Sequence, residues 1–321
     1  MAINLRGILL PTTTPFSSSE ELDTKGLASN LKRWSDTGVD GFVILGSTGE
    51  RVNLDETEYL RVIETARRAV PHELTFVAGA GQQSTRGTIK EIERAAAAGA
   101  EAVLVITPGF YKSAITQEAL VGYYRAVADA ARVPVILYSM PDLTGIKIEP
   151  ETAARLSEHQ NIIGMKDSSA DIVKFAETVR QVPADFAMMI GNGTVFSEAL
   201  QAGARGGILA VGCAAPKLCM EIYQAVVAAN IDRAKGLQAR LTPLARAVTK
   251  TYGIGGLKTA MELAGFVGGA VRTPLRLPDE SAAAEIARLL NQAGEPLDKT
   301  STDTAVLTAT GPLLAHKGPD A

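Results

Sequence analysis

The stretch IIGMKDSSAD, residues 162–171, sets four residues suited to a strand buried on both faces directly before a lysine, a carboxylate and two hydroxyls. A continuous apolar run of this kind is what a parallel strand covered by helices requires. An ammonium at its end does not belong in such an interior. Lys166 therefore either sits in a structural ion pair, with Asp167 or an interior carboxylate, or it does chemistry. Successive strand residues face opposite ways, so Asp167 is free to cap the helix that follows.

Seven further runs of the same type are spread along the chain: RGILLPTT, GFVILG, LTFVAGAG, AVLVITP, PVILYSM, FAMMIGN and GGILAV, beginning near residues 6, 41, 74, 102, 134, 186 and 206. Helical patterns separate them. DTKGLASNLKRWSDTG offers Asp23 as a cap and Gly38 as a stop, and STRGTIKEIERAAAAG repeats the device with Ser84 and Gly99. Eight strands alternating with helices predict an α/β protein, a (β/α)8 TIM barrel over residues 1–215, with a doubly wound sheet as the structural rival. After Pro216 the pattern is helical only, which predicts a C-terminal helical extension over 216–294. From Glu295 to Ala321 the composition is rich in turn formers without a sustained period, so a loosely held tail is expected there.

With 321 residues, 46% hydrophobic and 21% charged, the chain can bury a large core. A formal net charge of -3 gives no electrostatic footprint for nucleic acid. No apolar run approaches a membrane span, and MAINLRGILLP is too soon broken by proline to be a secretory signal, so a cytoplasmic protein is expected. Cys213 and Cys219 form neither a disulfide framework nor a ligand spacing, and read as buried reduced thiols. His72, His159 and His316 lie in helix ends or the tail. That inventory calls for no metal and no cofactor, and leaves a metal-dependent lyase or a histidine-based hydrolase little to work with.

Function in a barrel collects at the C-terminal ends of the strands. There stand Thr12 to Thr14, the turn Gly46-Ser47-Thr48-Gly49-Glu50, Thr107-Pro108 with Tyr111, Tyr138-Ser139, Lys166-Asp167-Ser168, Gly191-Asn192-Gly193 and Val211-Gly212. Hydroxyls dominate, and one lysine stands alone. Desolvation at the mouth of an apolar strand disfavours an ammonium, and the neutral amine attacks carbonyls. The resulting iminium draws electrons from the adjacent carbon, which makes or breaks a carbon–carbon bond beside a ketone without a metal. Tyr138 is the candidate to move protons, with Ser47, Thr48 and Tyr111 as the hydroxyls that link it to solvent; singly, it also reads as a barrel tyrosine. GSTGE offers N–H groups and hydroxyls to a carboxylate, although the same residues simply make a tight turn. GNG at 191–193 and GARGG at 203–207 suggest a phosphate cradle, but neither comes with a lysine or arginine at a helix start.

Taken together, GSTGE, ITPGFY, ILYSMP followed by Thr-Gly, and IIGMKDSS, in this order, resemble the dihydrodipicolinate synthase and N-acetylneuraminate lyase family over about residues 5–290. The resemblance implies a Schiff base between Lys166 and a pyruvate-type 2-oxo acid, with Tyr138 as acid and base. It implies that Ser47 and Thr48 hold the keto acid's carboxylate and that Gly191 and Ile208 line the imine site. It further implies that Tyr111 joins the relay, from within the chain or across a subunit boundary. Family members are commonly tetramers, so a homo-oligomer, tetramer or dimer, is expected.

Synthases of this family carry Tyr-Asn-Val-Pro-x-Arg-Thr-Gly at strand five, with the arginine two residues after the proline for the second substrate's carboxylate; this chain reads Tyr138-Ser139-Met140-Pro141-Asp142-Leu143-Thr144-Gly145, with Leu143 in that place. The Tyr-Ser-x-Pro form, the longer TPGFYK loop, GMKDSS and the late YGIGGLKTAMELAGFVGG resemble the 4-hydroxy-2-oxoglutarate aldolases more closely. The resemblance thus implies a class I aldolase that releases pyruvate and an aldehyde, with Ser168 and Thr48 holding the distal group and Leu143 shaping its site. The synthase reading is second, with a sugar-acid dehydratase and a non-catalytic binding protein behind it. Arg51 and Arg205 are the other cations that could reach a distal carboxylate.

Overall fold

Each of the eight apolar runs forms a strand in the computed structural model, and the strands pair in parallel, each with its sequence neighbour and the last with the first, into a closed barrel. The structure describes residues 3–295, 297 and 298. The barrel comprises β1 (Gly7–Pro11), α1 (Thr24–Ser35), β2 (Gly41–Ile44), α2 (Glu56–Ala69), β3 (Thr75–Ala80), α3 (Thr85–Ala97) and β4 (Ala102–Ile106). It continues through α4 (Gln117–Ala130), β5 (Val135–Ser139), the single turn α5 (Pro141–Thr144), α6 (Pro150–Ser157) and β6 (Ile162–Asp167). It closes with α7 (Ile172–Gln181), β7 (Ala187–Ile190), α8 (Phe196–Gln201) and β8 (Gly206–Ile208). Four more helices follow: α9 (Pro216–Val227), α10 (Ile231–Arg246), α11 (Gly253–Leu263) and α12 (Glu280–Ala293). Of the segment from Glu295 onward, Glu295, Leu297 and Asp298 are described; Glu295 is buried, and the Asp298 N–H donates to the Leu263 carbonyl at 2.9 Å. Residues 296 and 299–321, where the remainder of the expected tail falls, lie outside the described residues.

The period of two along each strand divides the core into two layers. Leu9, Val43, Val77, Leu104, Ile136, Tyr138, Met189 and Ile208 fill the barrel interior, and their neighbours Ile8, Phe42, Ile44, Val103, Leu137 and Met165 pack outward against the helices. Because Met165 faces the helices, Lys166 faces the interior. The same alternation turns Tyr138 inward and Asp167 outward. Helix starts obey local chemistry: the Asp23 carboxylate accepts from the Gly26 N–H at 2.9 Å and the Ser84 hydroxyl from the Gly87 N–H at 3.1 Å. No described helix is long and apolar enough to cross a membrane.

Two expectations are corrected here. The cap of α7 is Asp171, whose carboxylate accepts from the Lys174 N–H at 3.1 Å, whereas Asp167 folds back onto the Ser169 N–H at 2.7 Å. A carboxylate caps the N–H two or three residues on, and α7 begins too late for Asp167 to reach it. The GARGG glycines are not a phosphate cradle: Gly206 opens β8 directly against Gly7, where a Cβ would lie 1.9 Å from the Gly7 carbonyl oxygen. Gly206 serves close strand approach at the N-terminal end of the barrel, while Gly203 and Gly207 make room for the side chains of Val179 and of Leu209 and Phe196.

Candidate active site

The site assembles at the C-terminal ends of β2, β5, β6 and β7. Tyr138 and Lys166 are direct partners in the β5–β6 ladder, and Nζ stands 4.4 Å from the centroid of the phenol ring. Both are nearly enclosed, at 3% and 4% exposure. Among the described residues no carboxylate lies within ion-pair distance of Lys166, so the structural ion pair is excluded there. Asp167, turned to the helix side, has its carboxyl raised by burial, an effect opposed by the Ser169 N–H.

Gly191, following β7, makes the space for this lysine. A Cβ there would lie 2.0 Å from Ser168 Oγ and 2.6 Å from Lys166 Cε. Lys166, Ser168 and Gly191 are therefore one packed unit, and Ile208 on β8, fully buried, belongs to the apolar interior beneath them. Cys213 and Cys219 are buried reduced thiols, pushed far up by burial and hence removed from thiolate chemistry.

The turn after β2 is held in an unusual backbone. Leu45 and Glu50 adopt left-handed φ values of 60° and 53°, bracketing a tight helical turn over Ser47–Gly49. Such a conformation costs a side-chain-bearing residue about 1 kcal/mol or more and persists where surroundings enforce it. The turn places Ser47 Oγ 3.0 Å from Tyr138 Oη, and Thr48 is buried beside it. The first N–H groups of a helical turn have no internal acceptor, so Ser47 and Thr48 offer donors as well as hydroxyls. A hydroxyl pair, an amine and free N–H groups at neighbouring strand ends are what a 2-oxo acid needs: a nucleophile for its ketone, a proton carrier and a seat for its carboxylate.

Sequence reasoning missed the network behind this turn. Glu50 Oε1 lies 2.6 Å from Lys258 Nζ of α11, and both side chains are sealed from solvent. Oε2 accepts from the Arg272 N–H at 3.1 Å, and the Arg272 guanidinium grips Glu58. The next residue, Arg51, is pulled the other way, with Nη1 2.7 Å from Glu91 Oε1 and Nη2 donating to the Gly81 carbonyl at 2.6 Å. Burial lowers the pKa of Lys258, with Glu50 opposing. The available signal was Lys258, the one basic residue in the mostly apolar run GIGGLKTAMEL of α11.

Not every expected site residue is gathered in. Tyr111 is 69% exposed beside Phe110, their rings edge to face at 5.0 Å, and it does not reach Tyr138 within the chain. Leu143, on α5, is 59% exposed. The two alternative arginines are engaged elsewhere: Arg51 as described, and Arg205 with the Ala184 carbonyl at the opposite end of the barrel. Among the described residues there is no cluster of three potential metal ligands.

Fold and lysine-centred site together define a pyruvate-dependent, Schiff-base lyase on a TIM barrel, and comparison with known proteins agrees. Residues 4–293 match the dihydrodipicolinate synthetase family, and the chain belongs to that family. It is 34% identical over 297 residues to a 4-hydroxy-tetrahydrodipicolinate synthase of Methanopyrus kandleri, covering 92% of this chain and 98% of the relative. The dihydrodipicolinate synthase of Thermotoga maritima superposes with a TM-score of 0.85 at 29% identity, covering 90% of this chain and 98% of its own. A prophage protein of the same family from E. coli K12, solved in complex with pyruvate, gives 0.84 at 28% identity, covering 91% and 99%.

Proposed function

We propose that this lyase cleaves 4-hydroxy-2-oxoglutarate or a close 2-oxo acid to pyruvate and an aldehyde. The Lys166 amine adds to the C2 ketone, and loss of water with a proton from Tyr138 gives the iminium. Tyr138, as phenolate, then takes the proton of the C4 hydroxyl. The C3–C4 bond breaks, its electrons pass into the iminium, and the aldehyde leaves. Protonation of the enamine at C3 and hydrolysis return pyruvate and the free lysine. Ser47 relays protons between Tyr138 and solvent, and Ser47 with Thr48 seats the carboxylate next to the imine.

The single observation that carries the choice of substrate is Leu143. Aspartate semialdehyde carries its carboxylate two carbons beyond the aldehyde carbon, out toward this loop, where it finds no guanidinium, and Arg51 and Arg205 are committed elsewhere. The aldehyde released from 4-hydroxy-2-oxoglutarate carries its carboxylate directly on the reacting carbon, where the hydroxyls of Thr48 and Ser168 hold it without help from this loop. The synthase reading, condensation of pyruvate with aspartate semialdehyde, is second, and the names of the relatives favour it over the aldolase. Specificity constants measured side by side decide between them. The proposal expects the hydroxy-oxo acid to be preferred by about tenfold or more; a constant for aspartate semialdehyde equal or higher assigns the synthase.

An assembly of copies, as a dimer or tetramer, is part of the same reading. Phe110, at 75% exposure, and Tyr111 form an apolar patch at the barrel mouth that a second copy would cover, bringing Tyr111 into the relay. Light scattering of the intact chain tests this directly.

A further inference from the structure

An ammonium has three protons to place. Lys258 Nζ donates to the Thr14 carbonyl at 2.7 Å and the Ala270 carbonyl at 2.5 Å, and its third neighbour is Glu50 Oε1 at 2.6 Å, a charge contact rather than an aligned hydrogen bond. The Phe16 ring covers its remaining side, 4.6 Å from Nζ to the centroid. One side chain from α11 thereby ties together the segment after β1, the turn after β2 and the segment leading to Arg272.

Both tethers converge on the Ser47–Gly49 turn. The first is direct, through the carboxylate of Glu50, the left-handed residue that ends the turn. The second runs through Thr14, whose carbonyl Lys258 holds and whose hydroxyl donates to the Gly49 carbonyl at 2.7 Å. The front of the same turn carries Ser47, at hydrogen-bond distance from Tyr138. A buried ion pair is a weak way to gain stability, because desolvation of both charges offsets their attraction. Its strength lies in fixing geometry, since a partner displaced from a buried charge leaves that charge unpaired.

We propose that Lys258 is a positioning residue for the substrate-carboxylate seat: through Glu50 and Thr14, α11 sets where Ser47 and Thr48 stand relative to Lys166. This rests on the Schiff-base reading above. The helical extension is then part of the binding machinery, although it contributes no atom to the reacting centre.

The test separates recognition of the carboxylate from reactivity of the lysine. Reduction with borohydride, followed by intact mass, is run on the full chain with pyruvate and with hydroxyacetone, a ketone lacking the carboxylate. Lys258→Met, and Glu50→Gln combined with Lys258→Met, are expected to raise the half-saturating pyruvate concentration by about tenfold or more while the half-saturating hydroxyacetone concentration stays within about twofold, both read after imine formation has come to equilibrium so that a slower proton relay through Ser47 and Tyr138 does not enter. Thr14→Val, which cuts only the second tether, is expected to give a smaller shift of the same sign, and it decides the matter if neither lysine variant folds. Parallel loss with both ketones, or unchanged pyruvate dependence in a folded variant, overturns the proposal. A wild-type chain that pyruvate does not label overturns the Schiff-base reading and this inference with it; labelling of the wild type with unaffected variants overturns this inference alone.

Discussion

Lys166 and Tyr138 are paired across two adjacent strands, with the lysine nitrogen 4.4 Å from the centre of the phenol ring. In-register neighbours of a parallel pair share a face, so whatever bonds to the nitrogen passes close to the phenol. The ring also receives Ser47 at 3.0 Å from a third strand end, which fixes the oxygen end of the phenol. Removing a general acid and base costs ~10²- to 10⁴-fold in rate. Tyr138→Phe should reduce turnover by that order with little change in melting temperature, and a loss below about threefold would return Tyr138 to a packing role.

Lys166→Arg keeps the charge and most of the volume but replaces the nucleophile with a guanidinium that stays protonated. The expected result is a folded protein with no adduct after treatment with pyruvate and borohydride. A label that persists, on this variant or on another lysine of the wild type, would place the chemistry elsewhere.

Gly191→Ala probes the fit around the same nitrogen. The new Cβ would overlap Ser168 Oγ and Lys166 Cε, and both are side-chain atoms that can move aside. The fold should survive, but the lysine will be displaced, and a 1 Å misplacement at a reacting centre costs on the order of 10²-fold. Steady-state rates beside a thermal melt check this; near-normal turnover would mean that Lys166 has room to spare.

How much of this was legible beforehand depended on whether the cause was local. Burial on both faces writes a strand as a continuous apolar run, so all eight strand positions could be read, and Lys166 stood out because it ended one. The inward direction of Lys166 and Tyr138 follows from alternation once Met165 and Leu137 are known to face helices. The sequence leaves Asp167 free to cap α7, but Asp171, four residues on, is the cap, and only the position of the helix start separates the two. Lys258 could be noticed, but its pairing with Glu50 could not, because the contact joins the turn after β2 to α11 and no local pattern records a long-range pair. The place of Tyr111 is decided by what covers it, which a single chain does not contain.

The Glu58–Arg272 pair gives a pH dependence with a definite sign. The Arg272 guanidinium hydrogen-bonded to Glu58 holds its carboxyl below the ordinary glutamate value of about 4.3. A group whose pKa is depressed by folding contributes stability that is present above the unfolded value and is lost as the pH falls through the folded value. Glu58→Gln retains an oxygen for the Asp55 N–H but not the charge. At pH 7 the variant should melt lower by ~2 to 4 °C, and the gap should close as the pH falls below about 4.3. Parallel melting curves across that range would show that the pair does not contribute.

Leu143 offers the sharpest test of substrate choice. It lies on the single-turn α5, exposed, between Asp142 and a threonine whose hydroxyl oxygen lies 3.2 Å from the Met140 carbonyl and accepts from the Ile146 N–H at 3.1 Å. Thr144 thus pins the loop, and Gly145, with φ of 68°, turns the chain out of it. A new side chain at 143 should change chemistry at the mouth without moving the backbone. Leu143→Arg introduces a guanidinium able to pair with a carboxylate, and a charge-assisted hydrogen bond contributes ~1.5 to 3 kcal/mol. That range corresponds to roughly ten- to 150-fold in specificity. The variant should therefore gain with aspartate semialdehyde by about tenfold, and the gain should appear in KM rather than in kcat, because the bond exists equally in ground and transition states. Competition experiments with both substrates present give the ratio directly. If wild type and variant use aspartate semialdehyde equally well, the distal carboxylate does not come to this loop, and Leu143 does not favour the aldolase.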